Sequence, residues 1–173
     1  MQFEEDILYE LYDDEQDGEV FNVGYFLAQD EDFSLFQSIN LNGFDSGLFL
    51  CRTESIYRTQ FNTKYCQAIQ KLMEYHKTKL KNYSFKTDDL CEELLLLAKA
   101  EKAIIDIELE STGAVEAIGF VESVNDKCVT TLEIDQQGFE DGNTIVKLND
   151  IRNITFNSYK RMKHKILYEL NTK

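Results

Sequence analysis

Seven residues near the start of the chain, "DDEQDGE" (13–19), set carboxylates at the spacing of a calcium loop. Asp13, Glu15 and Asp17 fall at loop positions one, three and five, and Gly18 falls at six. Such a loop closes with a bidentate glutamate at position twelve, and here position twelve is Gly24. The stretch therefore reads as an acidic hairpin tip, and no metal is expected. The two histidines, His76 and His164, both lie in helical patterns rich in lysine. Neither is marked by an orienting partner of the kind a nucleophile triad or metal centre needs, so both read as solvated helix residues. The four cysteines, Cys51, Cys66, Cys91 and Cys128, form no CxxC pair. They read as small apolar side chains in a reducing compartment. The acid pairs Asp88–Asp89 and Glu92–Glu93 sit at a helix start, where the helix dipole accounts for them. No phosphate-binding glycine loop, HExxH or GxSxG is present. These readings predict no catalytic residues, no cofactor and a protein that is not an enzyme.

Basic residues gather in two places. "KRMKHK" (160–165) holds Lys160, Arg161, Lys163, His164 and Lys165, and Lys71, Lys77, Lys79 and Lys81 lie around an earlier helix. Each run reads first as a solvated helix face and alternatively as a docking face for an acidic partner or nucleic acid. Tyr65, Tyr75 and Tyr159, close to these lysines, have the spacing of helix residues that face a core. The net charge of −14 is concentrated in residues 1–51, which hold 13 acids and no lysine or arginine. That third repels phosphates and suits either a basic partner or solubility. The longest apolar run is "LLLLA" (94–98), far short of a membrane span, and the N-terminus "MQFEEDILYE" is acidic. A cytoplasmic protein with no membrane association is expected.

The elements that must position these residues repeat. When the chain is shifted 95 places along itself, Gly18, Gly24, Gly43 and Gly47 meet Gly113, Gly119, Gly138 and Gly142. Between residues 18 and 62, 10 of 45 positions are identical without a gap. An internal repeat of one structural unit is the direct reading. In the second copy "AIIDIELES" (103–111), "AVEAIGFVESV" (114–124), "CVTTLEID" (128–135), "NTIVKL" (143–148) and "DIRNITF" (150–156) read as strands. "QQGFEDG" (136–142) is the hairpin loop between the third and fourth. The first copy runs "ILYELY", "EVFNVGYFLAQ", "FSLFQSINL", "LFLCR" and "SIYRTQF" in the same order.

Helices are predicted over 63–81, 87–102 and 158–171. The first aligns Tyr65, Ile69, Leu72 and Leu80 on one face, and the third aligns Tyr159, Met162, Ile166 and Leu170. Thr87 or Asp88 is the expected cap of the middle helix.

This order of strands resembles the Sm-like and SH3-type small barrels, here in tandem. It is also similar to bacterial proteins that carry a "G-F-x-x-G…I" barrel signature, present here at 43–47 and 138–142. The resemblance implies an α+β chain that is mainly β, with two five-stranded small barrels each followed by a helix. The expected domains are 1–81 and 82–173. Sm-like proteins commonly bind RNA and form rings. Ser34 and Val129 stand where the family's RNA-contacting asparagine is expected. The expected function is a noncatalytic protein-interaction module with an acidic first half, with Sm-like RNA binding as the alternative.

Overall fold

The computed structural model describes residues 2–13, 18–86 and 88–173. Asp14, Glu15 and Asp17 of the acidic tip, and the cap candidate Thr87, lie outside the described residues. The chain divides into two compact units, Met1–Leu90 and Cys91–Lys173.

The first unit contains β1 (Leu8–Tyr12), β2 (Asn22–Gln29), β3 (Phe33–Ile39), β4 (Asp45–Arg52), β5 (Arg58–Phe61) and α1 (Lys64–His76). Its strands are antiparallel in the order β5-β1-β2-β3-β4. Helix α2 (Leu90–Glu101) leads into the second unit, which holds β6 (Ile104–Leu109), β7 (Ala114–Val124), β8 (Cys128–Ile134), β9 (Glu140–Lys147), β10 (Ile151–Phe156) and α3 (Met162–Asn171). Here the order is β10-β6-β7-β8-β9, again antiparallel. Among the described residues the protein is therefore mainly β with three α-helices.

The expected closure of each strand set into a barrel is not what the pairing shows. The order is open, with β4 and β5 at its two ends in the first unit and β9 and β10 at its two ends in the second. A single 3-10 turn, Thr53–Ser55 or Leu148–Asp150, carries the chain between those ends. Such a turn redirects the chain away from the strand it leaves, so the two strands do not form a hairpin. Bulges bend the sheets. The register shifts between Phe26 and Ala28 and between Gln37 and Ile39, and again between Val121 and Ser123 and between Leu132 and Ile134.

Side-chain caps fix the turns. Asp30 Oδ1 accepts from the backbone N–H groups of Asp32 and Phe33 (2.9 and 2.6 Å), and Asn125 Oδ1 accepts from Lys127 and Cys128 (both 2.9 Å). Asn40 Oδ1 accepts from Asn42 and Phe44, and Asp135 Oδ1 from Gln137 and Phe139. Gly43 and Gly138 complete these loops at φ +78° and +80°, where a side chain is strained. A Cβ at Gly43 would lie 2.7 Å from Leu72 Cβ, and one at Gly138 2.5 Å from Leu167 Cβ. Each glycine is thus the notch into which the following helix settles.

Helix α1 ends at Lys77, which adopts the left-handed conformation, so it is shorter than the predicted 63–81. Thr63 caps its start by accepting from Cys66 N–H at 3.0 Å. Leu90 N–H, at the start of α2, donates to Asp30 Oδ2 at 2.8 Å. Strand β9 begins at Glu140, inside the stretch read as a loop, because Glu140 already pairs with Ile134. Among the described residues no helix is long and apolar enough to cross a membrane.

Candidate functional site

Helices α1 and α3 meet their sheets with different chemistry. In the first unit Cys66 and Ile69 of α1 enter an apolar cluster with Leu8, Val23 and Ile39. The residues 95 places further on are Arg161 and His164. Both turn inward. Arg161 Nε donates to both oxygens of Asp106 on β6, at 2.7 and 3.0 Å, and both side chains are nearly buried. His164 is 9% exposed, and among the described residues its Nδ1 has no hydrogen-bond partner. Burial holds its imidazole below the ordinary value. The Arg161 charge acts in the same direction, Asp106 opposes it, and Lys163 and Asp135 add smaller effects of each sign. The solvated histidine expected from the sequence is thus a core residue. His76, by contrast, is exposed, with its ring 4.4 Å from that of Phe44.

Turning this polar face inward turns the apolar face outward. Tyr159, Met162, Ile166 and Leu170, aligned by the sequence as one stripe, are 45%, 51%, 50% and 60% exposed. The core-facing role expected for Tyr159 is corrected. The physical reason is the Gly138 notch together with the Asp106–Arg161 pair, which fix the opposite side of the helix against the sheet. The basic run is also split. Arg161 is engaged by Asp106, Lys160 and Lys163 are exposed beside the stripe, and Lys165 lies elsewhere, in a groove. On α1, Ile69 is buried while Tyr65, Leu72 and Tyr75 are exposed.

That groove runs between α3, the end of α2 and strands β7 and β8, with a volume of about 700 Å³. Phe120 and Tyr168 meet there with ring centroids 4.8 Å apart and tilted by 52°. Tyr168 Oη donates to Glu140 at 3.1 Å. A smaller groove of about 440 Å³ in the first unit is lined by Tyr25, Gln70, Met73, Glu74, Lys77 and Thr78.

The first unit has its own buried polar group. Glu10, 3% exposed on β1, accepts from the hydroxyls of Tyr12 (2.9 Å) and Thr63 and from the Cys66 thiol (3.6 Å). This ties the start of α1 to the sheet. Burial pushes the Cys66 thiol up, with Glu10 reinforcing the shift, so the sulfur is held as a thiol rather than a nucleophilic thiolate. Cys51 and Cys91 are also buried, and Cys128 is half-buried. At the acidic tip Asp13 is buried and Glu19 exposed. Among the described residues no group of three or more histidine, cysteine or acidic side chains is placed to hold a metal ion.

Asp106, Phe120 and Tyr168 were not singled out by sequence reasoning. The signal available was the repeat itself: Leu11, Cys66 and Ile69 of the first copy become Asp106, Arg161 and His164 in the second. No family model, no curated protein and no solved structure matches this chain.

Proposed function

We propose that the protein is a noncatalytic protein-interaction module built from two copies of one five-stranded unit, its strand order similar to that of Sm-like and SH3-type domains, with the outward face of α3 as its binding surface. The copy reading is supported by hydrogen bonds that recur at the 95-residue offset, such as Asn40–Phe44 and Asp135–Phe139. The binding reading rests on one observation. Four large apolar side chains, Tyr159 in the 3-10 turn before α3 and Met162, Ile166 and Leu170 on it, form an exposed stripe whose opposite face is fixed. An exposed apolar stripe with a charged margin marks an interaction surface. Lys160 and Lys163 on that margin favour a partner that lays down an amphipathic helix with acidic flanks. The same lysines would serve RNA, but Arg161 is engaged by Asp106 and the stripe itself is apolar, which favours protein.

The double substitution Met162→Asp with Ile166→Asp tests this. Both sites are exposed, so the fold should persist by circular dichroism and thermal melting. Protein captured by the wild type should be lost from the variant by at least ten-fold. Retained capture would remove the stripe as the binding face, and nuclease-sensitive nucleic acid on the wild type would favour the RNA alternative.

A further inference from the structure

We propose that the groove of the second unit binds a small phosphorylated aromatic molecule of nucleoside-monophosphate size, its ring against Phe120 and Tyr168 and its phosphate held by Lys99, Lys102 and Lys165. This site lies on a different side of α3 from the apolar stripe and does not depend on the protein-binding reading.

Size and shape come first. About 700 Å³ lies within the 300–1,000 Å³ or so typical of small-ligand sites. Leu132, which pairs with Phe120 across β7 and β8, adds apolar lining beside the Phe120–Tyr168 ring pair. Its two tilted rings offer a corner against which a planar ring gains stacking and edge contact at once. The hydrogen bond from Tyr168 to Glu140 fixes one wall of that corner.

Charge supplies the second part. Lys99 comes from the last turn of α2, Lys102 directly follows that helix, and Lys165 comes from α3, so cations reach the groove from both sides of the chain's fold around it. A phosphate offers enough oxygens for three ammonium groups, whereas a carboxylate offers two. Glu101 and Glu169 also line the groove. As acceptors they suit the hydroxyls or ring amino group of such a ligand, and they repel a ligand with a second anionic end.

The first unit provides an internal comparison. Its groove has Met73 and Gln70 where the second has Tyr168 and Lys165, and among the described residues Lys77 is its one lining lysine. The ring corner and the converging cations are thus features of the second groove.

The test is a titration of the labelled full-length protein with AMP, followed by amide NMR shifts. Saturable shifts at Phe120, Leu132, Tyr168 and Thr172 are expected, with a dissociation constant in the millimolar range or below. Adenosine and inorganic phosphate should each bind at least ten-fold more weakly. The variant Lys99→Gln with Lys165→Gln should keep the parent spectrum and lose at least ten-fold in AMP affinity. The proposal is overturned if AMP gives no saturable shift, if adenosine binds as well as AMP, or if the shifts are equally large around Tyr25 and Met73. Binding of a short oligonucleotide in the absence of AMP binding would also overturn it.

Discussion

At the scale of single residues, the instructive pair is Ile69 and its counterpart His164. Each sits on the face of a helix that meets a sheet, yet one is aliphatic and the other titratable. His164 is held below its ordinary pKa, mainly by burial. The folded state therefore binds a proton less readily than the unfolded chain. Its contribution is intact above about pH 6.5, the ordinary histidine value, and is lost as the pH falls below that. A melting series from pH 7.5 to 5.0 should show the wild type losing more stability than His164→Ile, which restores the aliphatic residue of the first copy. Equal losses in the two proteins would mean that His164 does not report on acid. A histidine among lysines looks solvated in sequence because neither Asp106 nor the burying sheet is adjacent to it in the chain.

At the scale of elements, the long strands carry the bends and the helices carry the surfaces. Gly24 and Gly119 lie where β2 and β7 approach the backbone of their neighbours. A Cβ at Gly24 would sit 2.8 Å from Gln37 O, and one at Gly119 would run into Leu132 O. Gly24→Val and Gly119→Val should each destabilise by about 2 kcal/mol, as overpacked sites do, with Gly119→Val the more severe. Denaturant melts with unchanged midpoints would show that these strands have room to relax. The strands themselves were legible: β7 matches the predicted 114–124, and β8 and β10 fall within a residue of their predicted limits. Alternation and turn residues are local signals and need no knowledge of the fold. The face on which α3 packs was not legible. Period 3.6 identifies an apolar stripe but cannot say whether a sheet or a partner covers it.

At the scale of the molecule, the two units use the same capping chemistry with one difference. Asp30 accepts two turn N–H groups and also Leu90 N–H, while Asn125 Oδ1 accepts from two turn N–H groups, those of Lys127 and Cys128. Both alanine variants should destabilise, and Asp30→Ala should cost about 1 kcal/mol more than Asn125→Ala, the worth of one further hydrogen bond. Chemical denaturation compares them directly. A neutral Asn125→Ala would mean that the recurring turn contributes nothing to the second unit.

The sequence alone determined the mainly β character, most strand positions and the 95-residue correspondence of glycines, because turns and alternation are written in neighbouring residues. It also placed Tyr159, Met162, Ile166 and Leu170 on one helix face. Only the tertiary structure decided that this face looks outward, that the strand order is open, and that Asp106 withdraws Arg161 from the basic run. Only the structure brought Phe120 and Tyr168 to one groove with lysines from two helices. These are contacts between residues tens of positions apart, and they depend on how each helix is seated on its sheet, which no local pattern encodes.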